Sequence, residues 1–187
     1  MAILFTLFML FGDKTEIRRS VRRRIADLTA EQRAAKSASI EKMLSDCDAI
    51  RGASVVALYA SLADEPQTRG MIDSLSRTRT VVLPRVAGDD MDFYEYSPER
   101  MTIGAFGIEE PAGGRAVSPD EIDAIVVPAT AYTADGKRLG RGRGYYDRYM
   151  SRRGFRATKI GVCFAEQIVE HIPAEPHDIA VDSVVSA

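Results

Sequence analysis

Ala124-Ile125-Val126-Val127-Pro128, followed shortly by Gly136-Lys137-Arg138-Leu139-Gly140-Arg141-Gly142-Arg143-Gly144-Tyr145-Tyr146-Asp147-Arg148, is the stretch on which the fold turns. An unbroken apolar run with no polar alternation reads as a strand covered on both faces, the pattern of a parallel sheet, and the proline ends it. Ser54 to Tyr59 repeats that pattern. So do Thr80 to Leu83, stopped by Pro84, and Thr158 to Phe164. Met91 to Tyr96 alternates weakly as a further strand, and Ile179 to Val185 is a last short one. Helices are expected between them. Asp13 to Leu28 carries Ile17, Val21, Ile25 and Leu28 on one stripe. A second helix, with Thr29 and Gln32 as a capping box, runs to about Ile50. Two more end near Arg77 and near Arg152, the last starting at Gly144. Strands alternating with helices predict an α/β fold: residues 14–187 as a single domain with a mostly parallel central sheet and helices on both faces, of the doubly wound, three-layer type. Ligands then bind outside the carboxyl ends of the strands, where the loops after Tyr59, Leu83, Val127 and Phe164 should meet.

Composition narrows the class. A chain of 187 residues is long enough for one domain with a sizeable core. With 45% apolar and 28% charged residues it reads as an ordinary globular protein, and its net charge of −2 argues against a nucleic-acid binder that uses its whole surface. Basic charge is local, in Arg18 to Arg24 and Lys137 to Arg153. Cys47 and Cys163 lie far apart and read as free thiols in a reducing, cytoplasmic setting. His171 and His177 are too few for a histidine-rich zinc site and read as local hydrogen-bonding groups. Met1 to Phe11 is nearly all apolar, yet too short to span a bilayer and lacking a basic start or a cleavage site. Residues 1–13 are therefore set apart as an apolar extension without an assigned role, and no membrane partner is expected.

The glycine run carries the chemistry. Glycines at alternating positions remove side chains so that backbone N–H groups can approach a ligand closely. Cations interleave with them, and a carboxylate, Asp147, follows. Such a loop suits a phosphate chain with a metal ion beside it. It is neither a P-loop nor a dinucleotide fingerprint, since neither glycine spacing is present. A bare Gly-x-Gly-x-Gly fits a surface turn equally well; the added Arg138, Arg141, Arg143, Tyr145, Tyr146 and Asp147 make it specific.

The string from Val127 to Tyr132, then Asp135-Gly136, then Arg138 to Arg148 resembles the signature of the 5-formyltetrahydrofolate cyclo-ligase family, also called methenyltetrahydrofolate synthetase. Lys14 with Arg18, Tyr59-Ala60-Ser61 with Asp64-Glu65 and Thr68, Gly107-Ile108-Glu109-Glu110-Pro111, and His177-Asp178 with Asp182 follow in the family's order. The resemblance spans Lys14 to the C-terminus. It implies conversion of 5-formyltetrahydrofolate to 5,10-methenyltetrahydrofolate with ATP and Mg²⁺, through phosphorylation of the formyl oxygen and ring closure by N10. It implies that Lys14, Arg18, Gly140, Arg141, Gly142, Arg143, Gly144, Tyr145 and Tyr146 bind ATP. Ala60, Glu65, Arg141, Tyr145 and Tyr146 would bind the folate, and Asp147 and Asp182 would hold Mg²⁺. The expected partners are ATP and the folate, with or without a polyglutamate tail, on a monomer with no nucleic-acid partner.

Plainer alternatives stand beside these roles: a solvated helix face for Lys14 and Arg18, an ion pair for Asp147, a turn or cap for Asp182, an exposed loop charge for Glu65, and packing aromatics for the tyrosines. Arg138 and Arg148 are open between structure and site. The chain departs from the family's usual pattern at Pro66, where an aliphatic residue is usual; its missing N–H and fixed φ would reshape the folate-side loop. A catalytically silent relative that binds folate or nucleotide, or an RNA-binding module built on the basic-aromatic run Lys137 to Arg153, are the competing readings.

Overall fold

The structure, a computed structural model, describes residues 13–104 and 106–187; most of the predicted apolar extension thus lies outside the described residues. Asp13 belongs with the body: its carboxylate accepts the Glu16 N–H at 2.7 Å and caps α1 (Lys14–Ala26). α2 (Ala30–Asp46) starts at the expected capping box, in which the Thr29 N–H donates to Gln32 and the Gln32 N–H to Thr29 Oγ1. It ends earlier than predicted. Cys47 is extended, and the apolar continuation to Ile50 is a separate turn, α3 (Asp48–Arg51).

The remaining elements are β1 (Val55–Ala57), α4 (Arg69–Leu75), β2 (Thr80–Ala87), β3 (Asp90–Glu95), β4 (Met101–Ile103), β5 (Glu109–Pro111), β6 (Ala116–Val117), β7 (Ala124–Pro128), β8 (Ala131–Tyr132), β9 (Arg138–Leu139), α5 (Tyr145–Met150), β10 (Thr158–Cys163) and β11 (Ser183–Ser186). Seven strands form the main sheet in the order β11-β10-β7-β1-β2-β3-β6. From β11 to β2 all pairings are parallel; β3 and β6 add an antiparallel margin. This is the predicted α/β class with a mostly parallel sheet flanked by helices. Among the described residues no helix is long and apolar enough to cross a membrane.

Period-two alternation divides the core. Val56, Val81, Leu83, Ala124, Val126, Ile160 and Val162 face α1, α2 and α4, whose Val21, Ile25, Ile40, Leu44, Met71 and Ile72 cover them. Ala57, Val82, Ile125 and Val127 face the other way, toward Phe93, Tyr149 and Met150. Burying side chains of this size contributes about 1.5–3 kcal/mol each, so the two clusters supply most of the drive to fold. Gly161 admits Tyr132 against β10: a Cβ there would lie 2.6 Å from the tyrosine ring. The Tyr132 hydroxyl donates to the Val127 carbonyl at 2.7 Å, tying the glycine-loop hairpin to the central strand.

Pro84 does not stop β2. The β1 ladder is finished by the Leu58 N–H donating to the Val82 carbonyl, so beyond residue 83 one flank of β2 has no ladder to break. Proline is tolerated there, and β2 continues to Ala87 against β3. The hairpins β4–β5 and β8–β9 lie outside the main sheet.

Candidate active site at the carboxyl ends of the strands

Chain connections leave β1 toward β2 on one side and return to β7 on the other, so the order of the sheet reverses between β1 and β7. A cleft opens at that point, as expected for a doubly wound sheet. Its volume is about 160 Å³. Tyr59, Ala60 and Glu65 after β1, Pro84 and Val86 of β2, and Pro128 and Ala129 at the end of β7 form its base. The glycine loop and the start of α5 close one wall; Phe106, Ile108 and the β5 strand close another. Two of the four predicted loops converge, those after Tyr59 and Val127; past Leu83 the chain reaches the cleft as a continuation of β2 rather than as a loop. The loop after Phe164 instead braces the wall from behind, where the buried Gln167 amide donates to the Ala129 carbonyl at 2.8 Å and the Thr130 carbonyl at 3.2 Å.

Glu65 is 5% exposed, which removes the reading as an exposed loop charge. One carboxylate oxygen accepts the Leu62 N–H at 3.0 Å; the other accepts Arg141 Nε at 3.1 Å and Nη2 at 3.0 Å. Burial pushes this carboxyl above its usual range, against the pull of the Leu62 N–H and the Arg141 guanidinium. Pro66 shapes this loop through its carbonyl rather than disrupting it, accepting the Tyr59 hydroxyl at 3.2 Å and the Ser61 hydroxyl at 2.8 Å.

Arg141 also reaches Asp64, a residue that the motif contained but to which the sequence assigned no role. Its Nη1 makes no hydrogen bond among the described residues. The guanidinium can therefore hold Glu65 by one edge and present the other to an anion. Arg143 is exposed beside it. Gly144 has φ of +67, a conformation that suits glycine, and begins α5, so the chain turns sharply from loop into helix. Tyr145 and Tyr146 both line the cleft. Tyr145 donates to the Gly88 carbonyl at 3.1 Å and meets Phe106 edge-on at 6.4 Å. Burial pushes the Tyr146 hydroxyl well above its usual range, so it stays a neutral phenol. Arg148 ties the loop down by donating to the Arg143 carbonyl at 2.8 Å and to the Asp89 carbonyl, a structural role.

Arg138 settles as the cation that positions Asp147. Its side chain is 4% exposed and its guanidinium binds Asp147 Oδ1 and stacks over Tyr146 at 5.8 Å. The Ile179 N–H donates to the same Asp147 oxygen at 3.0 Å. Asp147 is thus in an ion pair and in the cleft at once, with Oδ2 uncommitted among the described residues.

Arg18 lies against the glycine loop, and neither Arg18 nor Lys14 lines the cleft. Arg18 Nε donates to the Gly140 carbonyl at 2.9 Å, and its guanidinium lies alongside Gly142, which faces out from the loop. Lys14, one turn earlier, binds Asp178 at 2.8 Å and Glu175 at 3.2 Å. Glu175, His177 and Asp178 sit close enough to share a cation, but the Lys14 ammonium already occupies that role.

Asp182, another predicted site residue, also lies away from the cleft. It lies at the amino-terminal edge of the sheet, where Oδ2 accepts the Lys159 N–H at 2.7 Å and Oδ1 pairs with the Lys159 ammonium at 2.9 Å. Parallel strands put that edge opposite the cleft, so Asp147 and Asp182 do not form one site. The alternative of a cap describes Asp182. Missing from the sequence reading were the β2 residues of the base, Phe106, and the roles of Asp64, Glu109 and Glu110. Only the Gly-Ile-Glu-Glu-Pro string could have pointed to the last two.

Comparison with known proteins identifies the family. The family model described as the 5-formyltetrahydrofolate cyclo-ligase family matches residues 11–187. A 5-formyltetrahydrofolate cyclo-ligase of Mycolicibacterium smegmatis is 34% identical over 140 residues, 70% of this chain and 72% of that protein. One from Mus musculus is 28% identical over 187 residues, with 92% of each covered. The solved structure of a 5,10-methenyltetrahydrofolate synthetase from Aquifex aeolicus superposes with a TM-score of 0.84 at 33% identity, over 92% of this chain and 89% of that one. By fold, cleft and sequence, the chain belongs to the 5-formyltetrahydrofolate cyclo-ligase family.

Proposed function

We propose that this protein converts 5-formyltetrahydrofolate to 5,10-methenyltetrahydrofolate in an ATP- and Mg²⁺-dependent reaction that releases ADP and phosphate. The observation that carries the reading is the direct contact of Arg141, from the cationic glycine loop, with Glu65, buried at the base of the aromatic-walled cleft. One cavity thereby holds an anion-binding wall and a carboxylate fit to accept N–H groups of a flat, polar ring.

In this reading the pterin lies between the base of the cleft and Tyr145 and Tyr146, with Ala60 against it and its ring N–H groups on Glu65. The triphosphate follows Gly140 to Gly144. Arg141 Nη1, Arg143 and Arg18 supply cationic donors, Arg18 from the outer side of the loop, and Lys14 would join them by leaving Asp178 and Glu175. The amide-like formyl oxygen is a poor leaving group, and transfer of the γ-phosphoryl makes it a good one. The residues act mainly by alignment and charge neutralisation, and alignment alone can remove ~7–11 kcal/mol of barrier. N10 then closes the ring and phosphate departs.

Asp147 fits a magnesium site in donor chemistry: one carboxylate, held rigid by Arg138 and the Ile179 N–H, with an oxygen to spare beside the place assigned to phosphate oxygens. Bound there, the ion would neutralise phosphate charge. Asp182, with both oxygens engaged, does not fit. In this reading the protein acts as a cytoplasmic monomer without nucleic-acid or membrane partners.

The test is absorbance of 5,10-methenyltetrahydrofolate formed from 5-formyltetrahydrofolate by the purified protein. Product that requires both ATP and Mg²⁺ is expected. A folded protein that yields none, yet binds the folate, is a silent relative and ends the proposal.

A further inference from the structure

Ring closure raises a question that the alignment of substrates does not answer. N10 enters the reaction carrying a hydrogen and leaves without one, so some group in the cleft must take that proton. Among the described residues, four carboxylates line the cleft: Glu65, Glu109, Glu110 and Asp147. Three are held by arginine. Glu65 is bound by Arg141, Glu109 by Arg69 at 2.6 Å, and Asp147 by Arg138. Protonating a carboxylate held by a guanidinium forfeits the ion pair, and Glu65, although burial raises it as well, is already committed to the pterin N–H groups in the proposed reaction. Glu110 makes no ion pair among the described residues, yet is only 6% exposed.

Its position is enforced. β5 pairs with β4 so that Glu110 lies opposite Thr102, and the carboxyl folds over Gly104 where any side chain would collide with it. The β4–β5 hairpin is closed by the Gly104 N–H donating to the Ile108 carbonyl at 2.8 Å. Gly104 is thus the reason a buried carboxylate can sit at this wall. We infer that the Glu110 carboxylate accepts the N10 proton during ring closure. The inference rests on the proposed reaction. The N10 lone pair forms the new bond to the activated formyl carbon, and the N10–H bond breaks with its proton passing to Glu110. The carbon–oxygen bond to phosphate then breaks, its electron pair leaving on the phosphate oxygen. Glu110 returns its proton to the departing phosphate or to water.

The surroundings favour this assignment. Burial pushes the Glu110 carboxyl above its usual range; the Val86 N–H and the Arg85 charge from β2 pull the other way and do not cancel it. Glu109, next to it on β5, is neutralised by Arg69, and β4 presents no titratable side chain. Across the cleft, Glu65 is also raised by burial but faces the pterin, Asp147 is paired with Arg138, Arg143 adds a cation, and Tyr145 and Tyr146 present hydroxyls. An elevated carboxyl is a better general base near neutral pH, and its protonation should give the kcat profile an acidic limb.

Glu110→Gln keeps the shape and removes the base. The expected result is a loss in kcat of about 100-fold or more, with KM for both substrates nearly unchanged. Rapid quench should show ADP released in a burst ahead of methenyl product, and the acidic limb should vanish. Glu110→Asp, which keeps a carboxylate, should recover part of the rate, and it decides the matter if Glu110→Gln does not fold. Wild-type turnover and pH profile in folded Glu110→Gln would overturn the inference. So would a normal kcat with raised KM for the folate, which would make Glu110 a pterin-binding group. An inactive wild-type protein, by contrast, would overturn the proposed function itself.

Discussion

The two ends of the central sheet use the same side chain to opposite purposes. At the amino-terminal edge, Asp123 accepts the Ser54 and Val55 N–H groups at 2.8 and 2.9 Å, and Asp182 accepts the Lys159 N–H at 2.7 Å. These carboxylates satisfy the first donors of neighbouring parallel strands, which would otherwise lack partners. At the carboxyl-terminal end, Asp147 and Glu65 are gripped by arginines of the glycine loop, and Glu110 is buried without an ion pair among the described residues. A carboxylate that saturates backbone is structural. One held by a side chain that can itself turn to a ligand is available for chemistry. Asp147 and Asp182 both fit a family-like string, and only their positions on the sheet separate them.

Substitutions can break this contrast. The largest effect is expected for Asp147→Asn, which should lower kcat by about 100-fold or more, in the range for losing one preorganised electrostatic contact, while leaving the fold intact. Normal turnover at low Mg²⁺ would remove Asp147 from the metal site. Arg138→Met should act on stability, costing about 1–3 kcal/mol in denaturant unfolding, because it leaves the partly buried Asp147 with only the Ile179 N–H as partner. A loss near zero would mean that the pair is solvated. Arg141→Ala should weaken ATP binding by about 1.5–3 kcal/mol, the value of a charge-assisted contact. If isothermal titration finds the affinity unchanged, the side chain serves Glu65 and Asp64 alone. Asp182→Asn should be mildest. Its exposed pair with Lys159 is worth at most about 1 kcal/mol, and turnover should match wild type.

Much of this contrast was legible in the sequence, and the reasons for the rest are physical. Apolar runs located β1, β7 and β10 because strands covered on both faces leave no polar position to confuse the pattern. The capping box of Thr29 and Gln32 is a local device and was readable for that reason. The glycine loop could be singled out as a wall of the cleft because glycine and arginine alternate within one short segment. Pro84 misled, because its effect depends on where β1 ends rather than on its own neighbours. Asp182 misled similarly: whether a carboxylate faces cleft or edge depends on strand direction, which a motif does not carry. The β4–β5 hairpin, and with it Glu110, was opaque because its packing against β2 is long-range. Arg138 stayed open between two roles until its burial beside Asp147 was visible.

The most direct test is one assay run in parallel on wild type, Asp147→Asn and Asp182→Asn, following 5,10-methenyltetrahydrofolate with and without ATP. The expected outcome is ATP-dependent product from wild type and Asp182→Asn at similar rates, and almost none from Asp147→Asn. An active Asp147→Asn beside a silent but folded Asp182→Asn would place the chemistry at the wrong end of the sheet and contradict the account.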